Sequence, residues 1–214
     1  MEIRDWGLVV GVQHPESFNT PIYQYTNNQN NNPKQTMTNN SNPSPHVTAV
    51  SGRQFSAFPA AIQALLVNDA AEILLLSSPR RRSHPNEWQV ISGGLDANES
   101  ILEGAIREAH EEAGAGIEIR PLGVVHAQTF TYDVKIPYMH SVHYLFHFLG
   151  GEVVPGDDMA DSEVRWWRLD ELASSDIVYH PSTSYWHLER AIQLWKIWSP
   201  NPPNLNCLQN LDLK

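Results

Sequence analysis

The chain has 214 residues, of which 41% are apolar and 18% charged, enough for one core of ordinary size plus extensions, so disorder throughout is excluded. Lys and Arg total 14 against 24 Asp and Glu, a formal charge of −10 that repels phosphate backbones and disfavours broad nucleic-acid binding, although a local basic patch can still hold one small phosphorylated ligand. The only cysteine, Cys207, excludes an intrachain disulfide and a Cys-based zinc site and fits a reducing compartment.

Residues 1 to 13 lack the basic start and long apolar stretch of a signal peptide, and no run of about 18 apolar residues occurs, so a soluble, cytoplasmic protein is expected. Trp6 to Val12 reads either as a strand, pairing with the main domain or with a second subunit in a homodimer, or as a loosely attached arm. From Gln24 to Pro45 the chain is crowded with Asn, Gln, Thr, Ser and Pro, a composition that buries too little apolar area to offset its ordering entropy. Residues 1–50 are therefore expected to form an arm and a flexible linker, 51–198 a folded domain, and 199–214 a tail in which prolines end regular structure.

Within 51–198 the pattern is mixed α/β. Ala60 to Val67 and Glu72 to Ser77 flank Asn68-Asp69-Ala70-Ala71 and predict a hairpin. Trp88 to Ile91 predicts a strand, Ser92-Gly93-Gly94 a turn, and 99–113 a helix. Strands are expected at Ile117 to Ile119, Leu122 to Tyr132, Ser141 to Phe148 and Glu163 to Arg168. Tyr185 to Trp198 closes the domain as a helix, with Leu188, Ala191, Ile192 and Trp195 at helical spacing.

The segment that carries chemistry begins Gly93-Gly94-Leu95-Asp96-Ala97-Asn98-Glu99 and resumes seven residues later as Arg107-Glu108-Ala109-His110-Glu111-Glu112-Ala113-Gly114-Ala115. On a helix, Leu102, Ala105, Ile106, Ala109 and Ala113 form one apolar face, and Glu108, Glu111 and Glu112 gather on a neighbouring one. Like charges at that spacing repel. A hard divalent cation reverses the sign of the interaction, and magnesium takes such oxygen ligands together with waters and phosphate oxygens. A solvated acidic helix face is the ordinary outcome for Glu-x-x-Glu-Glu; the glycines and the Arg at set intervals argue against it here.

These intervals resemble the Nudix box, G-x5-E-x7-R-E-U-x-E-E-x-G-U with U a bulky aliphatic residue. Every charged and glycine position matches from Gly93 to Gly114, while both U positions depart, being Ala109 and Ala115. The resemblance covers about Ser51 to Trp198 and implies a Nudix fold, a mixed β-sheet sandwiched between helices. It implies hydrolysis of the pyrophosphate bond of a nucleoside diphosphate linked to another moiety, such as a nucleotide sugar like ADP-ribose or a dinucleoside polyphosphate. The reaction would use magnesium-assisted attack of water, with manganese able to substitute. Carried over by position, Glu108, Glu111, Glu112 and the Gly93 carbonyl are metal ligands, with Glu112 the foremost. Arg107 pairs with Glu99 or a box carboxylate and orients the site. Gly93 and Gly94 turn the chain sharply, and Gly114 supplies a left-handed helix stop. The general base comes from the box or from the cluster Asp157, Asp158, Asp161 and Glu163; Glu163 is the expected one.

Arg80, Arg81 and Arg82 precede the box and suit phosphate binding, with a solvated basic loop as the alternative. His140, His143 and His147 fall in a strand, the latter two on one side and His140 on the other, and no helical His-Glu-x-x-His is present, so zinc is not expected. Trp88, Trp166, Trp167, Trp186, Trp195 and Trp198 read as core, with one of them or Tyr132 available to hold a base. The proline that marks ADP-ribose hydrolases of the family, fifteen or sixteen residues past the box, is replaced by Phe130 and Thr131; Tyr132 matches the tyrosine of dinucleoside polyphosphate hydrolases. A non-catalytic Nudix-fold module that senses a ligand or binds protein remains the alternative, although such modules often lose box glutamates and all are present here. An isopentenyl diphosphate isomerase would need a catalytic cysteine that the domain lacks.

Overall fold

The computed structural model of the chain describes residues 46–80, 84–133, 135–136 and 138–205. All described residues belong to one compact unit. The Trp6 to Val12 run, the Gln24 to Pro45 tract, Arg81, Arg82 and Cys207 lie outside the described residues. The order of strands is β1 (His46–Thr48), β2 (Gln54–Ser56), β3 (Ala60–Val67), β4 (Ile73–Ser77), β5 (Trp88–Gln89), β6 (Ile91–Gly94), β7 (Glu118–Phe130), β8 (Met139–Gly150) and β9 (Glu163–Trp167). Three α-helices accompany them: α1 (Ile101–Ala113) after β6, and α2 (Leu169–Ser174) and α3 (Tyr185–Trp198) after β9.

Strand β3 is buried on both faces, which is why its sequence, Gln63 apart, is apolar rather than alternating. Ile62, Ala64 and Leu66 pack with Ala105, Ala109 and Ala113 of α1, whereas Leu65 and Val67 pack with Leu188, Ala191 and Ile192 of α3. The sheet is thus sandwiched between α1 and α3. The β3–β4 hairpin forms, pairing at Val67↔Ile73, and then opens. β3 takes β8 as a parallel neighbour and β6 as an antiparallel one, while β4 pairs with β5 and β9. The opening of the hairpin leaves the start of β3 beside the glycines of β6. No helix among the described residues is long and apolar enough to cross a membrane.

Helix α1 starts where its capping residues dictate. Ser100 Oγ accepts from the Glu103 N–H at 3.3 Å and the Glu103 carboxylate accepts from the Ser100 N–H at 2.7 Å, a reciprocal capping box. Glu99 therefore stands just outside the helix. At the other end Gly114 has φ 118° and ψ 138°: the positive φ was expected, but the ψ lies outside the left-handed helical region, because Val154 N donates to Ala113 O at 2.9 Å and draws the following loop against the helix end.

Several expectations are corrected. Gly93 and Gly94 do not form a turn; both belong to β6, opposite Ile62 and Ala61. Ile117 to Ile119 and Leu122 to Tyr132 are not two strands but the single bent β7, whose pairing with β8 carries three register irregularities, and Tyr132 lies beyond its end. β1, β2 and α2 were not foreseen. Trp88 and Trp167 are core, edge to face at 5.3 Å, whereas Trp186 is exposed and rests against His187.

The histidine faces are as the strand parity requires. His143 meets His187 of α3, and His147 meets Trp195 of the same helix, while His140 meets Phe58 edge to face. His143 is fully buried with no hydrogen-bond partner among the described residues on either ring nitrogen, and burial, followed by the neighbouring His187 and His126, pushes its pKa down to about 3. His187 is pushed down to about 4, again chiefly by burial. Both rings are neutral when folded and take up protons more readily when unfolded. Their stabilisation is complete above the ordinary value of 6.5 and is lost as pH falls toward 4 and 3. Urea unfolding at pH 7 and pH 4.5 is expected to show a loss of about 2 kcal/mol per ring at the lower pH. His143→Leu should lose correspondingly less; an unchanged pH slope in that variant would contradict the neutral-histidine core.

Candidate active site

The site is organised by Arg107, which points back from α1 to the end of β6. Its Nε and Nη2 donate to the two Glu99 carboxylate oxygens at 3.1 and 2.7 Å, a bidentate pair. Nη2 also donates to the Gly94 carbonyl at 2.9 Å, and Nη1 to Glu108 at 2.8 Å and Glu111 at 2.9 Å. One guanidinium thereby ties the strand end, the segment before the helix and two box carboxylates together, and its own proton is held still more firmly than usual, first by Glu99. Glu99 in turn is kept below the ordinary carboxylate range, first by the Arg107 hydrogen bond and then by the Asp96 N–H.

Glu108 is buried, and its pKa is raised above the ordinary value: desolvation leads, Arg107 opposes it, and the charges of Glu111 and Asp158 add to it. Glu112 is 2% exposed and accepts from the Ser92 N–H at 2.9 Å. Gly93 is required by Glu108, since a Cβ at 93 would overlap the Glu108 carboxylate. The glycine is there for close approach rather than for a turn. Gly93→Ala is accordingly expected to leave the fold intact and to displace Glu108, lowering turnover by up to about a hundredfold, the scale on which an ångström of misplacement matters. Circular dichroism together with a rate assay checks this, and wild-type activity would show that Glu108's position is immaterial.

Among the described residues, no three His, Cys, Asp or Glu side chains close on a common point as a ready cation cage. The donor chemistry nonetheless fits a hard divalent cation. Glu108, Glu111 and Glu112 project from successive turns of one helix, and the least solvated of the pair beside Arg107, Glu108, keeps its anion at an electrostatic cost that a divalent charge would relieve.

Beside these groups lies a cavity of about 950 Å³, lined by Ser92, Gly93, Gly94, Asp158, Arg80, Phe130, Thr131 and Tyr132 among others. Its size matches a nucleotide-sized ligand. Arg80 reaches it while paired with Asp161, and Tyr132 is an exposed part of its lining. Glu163 opens β9 opposite Ser77, is exposed, and is not among the lining residues; Asp158, from the 3₁₀ turn Asp157–Met159, is. His84, His180, Ser182 and Gln63 also line the cavity and were not singled out from sequence. No local motif marks them, because they come from three separate segments.

The NUDIX domain profile matches residues 57–186. The chain belongs to the Nudix family. This Nudix protein is 32% identical over 110 residues to the NAD-capped RNA hydrolase NudC of Pseudomonas aeruginosa, a match covering 50% of this chain and 36% of that protein. It therefore spans well under two thirds of the curated relatives' length. Among solved structures, a NUDIX hydrolase from Nitrosomonas europaea superposes with a TM-score of 0.51 at 18% identity, covering 74% of this chain and 100% of that one. An ADP-ribose pyrophosphatase from Streptococcus suis gives 0.50 at 19% identity, covering 64% and 91%. These two likenesses establish the Nudix fold, and the box of this family member lies on β6 and α1.

Proposed function

We propose that the protein hydrolyses the pyrophosphate bond of a nucleoside diphosphate linked to another moiety, a nucleotide sugar such as ADP-ribose or a dinucleoside polyphosphate, with magnesium. The observation that carries this reading is the meeting of a complete set of box carboxylates, organised by Arg107, with a nucleotide-sized cavity lined by Gly93, Gly94 and Asp158. The named activities of similar proteins, an ADP-ribose pyrophosphatase and an NAD-capped RNA hydrolase, support it.

Glu108, Glu111 and Glu112, with the Gly93 carbonyl, would hold the metal. Magnesium or manganese bound there supplies charge neutralisation for the phosphate oxygens and a more acidic water. Arg107 fixes the spacing of Glu108 and Glu111 and holds the Gly94 carbonyl, so the end of β6 and the helix move as one piece. Phe130 and Tyr132 offer aromatic area for a base, and Arg80 a cation for a phosphate. The proton of the attacking water goes to a carboxylate in the segment between β8 and β9, where Asp158 reaches the cavity; Glu163, the first residue of β9, does not line it.

The test is a product-release screen over ADP-ribose and other nucleotide sugars, NAD, dinucleoside polyphosphates and nucleoside triphosphates, with and without magnesium. Hydrolysis in oxygen-18 water should label a nucleoside monophosphate or its partner phosphate. Binding without cleavage of any of these compounds would replace the hydrolase reading with that of a ligand-sensing module.

A further inference from the structure

The cavity carries two histidines that the proposed chemistry leaves unused. They belong to segments joined by main-chain hydrogen bonds: Trp88 N donates to Val178 O at 2.8 Å and His180 N to Trp88 O at 2.9 Å. This zipper sets the His84 and His180 rings edge to face at 5.2 Å with an interplanar angle of 83°. Each ring is held at Nδ1. The Glu87 carboxylate stands 2.9 Å from His84 Nδ1, an ion-pair contact rather than an aligned hydrogen bond. His180 Nδ1 accepts from the Ser182 N–H at 3.2 Å and lies 2.7 Å from Ser182 Oγ, which places the His180 proton on Nε2. Ser182 is itself tied to the sheet, its carbonyl accepting from Gln63 Nε2 at 3.0 Å. His84 has φ 60°, a backbone conformation that histidine tolerates better than most residues.

We propose that His84 and His180 form an anion-binding wall of the cavity that takes the phosphate oxygens of the ligand and so fixes how the diphosphate lies relative to the box. In a chain of net charge −10, recognition of a polyanion has to come from local donors. Arg80, paired with Asp161, offers one cation at the cavity, and a diphosphate has more oxygens than one guanidinium can meet. A phosphate oxygen at His84 Nε2 would hold that ring as an imidazolium beside the Glu87 carboxylate, and His180 donates from Nε2. A metal fits this wall less well, since among the described residues no third ligand joins the two rings. The identity of the ligand rests on the pyrophosphohydrolase reading; the wall does not.

The test uses the full chain and inorganic pyrophosphate as probe, with Kd measured by titration calorimetry and folding checked by thermal melting. His84→Asn suits the left-handed backbone and removes the cation; it is expected to weaken binding about tenfold to a hundredfold, as loss of a charge-assisted hydrogen bond does. His180→Gln should weaken it less, and His84→Lys should restore most of the affinity. With a substrate from the screen, His84→Asn should raise KM and, because the diphosphate is then less well aligned with the box, also lower kcat. Pyrophosphate binding by both single variants at wild-type affinity, or no binding by the wild type, overturns the wall. Binding that depends on His84 in a protein that cleaves nothing keeps the wall and removes the hydrolase reading, whereas undiminished catalysis and binding in His84→Asn does the reverse.

Discussion

Replacing Glu112 with Gln is expected to lower magnesium-dependent turnover by about a thousandfold or more, the rate equivalent of several kcal/mol of charge stabilisation, with the fold retained. The side chain is almost wholly buried and holds the Ser92 N–H, so a change of shape there would disturb the junction of β6 and α1. Gln keeps the shape and one acceptor oxygen for that N–H while removing the charge. Stability should therefore fall little and metal affinity much. Melting curves, magnesium titration and rate measurements on the one variant separate the two effects. Full activity in Glu112→Gln would remove the box from the metal, and loss of folding would show that Glu112 acts mainly as a structural acceptor.

The box was legible because it is local: its residues lie within 22 positions of each other, from Gly93 to Gly114, and helix spacing alone puts the three carboxylates on neighbouring turns of α1. The buried strands β3 and β4 and the closing helix α3 were legible for the same reason, each announcing its own burial pattern. Elements that depend on distant partners were not. Gly93-Gly94 has the composition of a turn, and only the antiparallel pairing with Ile62 and Ala61 makes it strand. Arg120 and Pro121 separate the two expected strands, yet β8 runs past both and absorbs the irregularity as register shifts in one strand. β1 and β2 expose all six residues and leave no alternation to read, while α2 is six residues long with a single buried side chain. The cavity wall fared worst. His84, His180 and Gln63 meet through the Trp88 to Val178 zipper and the Ser182 carbonyl, contacts between segments far apart in sequence.

The same distinction decides which acid of the segment between β8 and β9 is expected to take the water proton. Sequence favours Glu163, the first residue of an expected strand; tertiary structure favours Asp158. The turn bearing Asp158 is anchored on both sides: Met159 is fully buried against the α1 side of the core, and Val154 N is bonded to Ala113 O at 2.9 Å. Gly156 comes so close to the Glu111 carbonyl that a Cβ would approach within 2.6 Å. A side chain on such a turn is held by the fold rather than by a free loop, and its charge is near enough to act on Glu108. Asp158→Asn is therefore expected to cut kcat by about a hundred- to ten-thousandfold, the usual worth of a general base, with little change in magnesium affinity. Glu163→Gln, altering an exposed residue that does not line the cavity, should remain close to wild type. The pattern differs from that of Glu112→Gln, which lowers rate and metal affinity together. If Glu163→Gln is the slow variant and Asp158→Asn the normal one, the ligand-bound enzyme must bring the start of β9 to the cavity, and the assignment passes to Glu163.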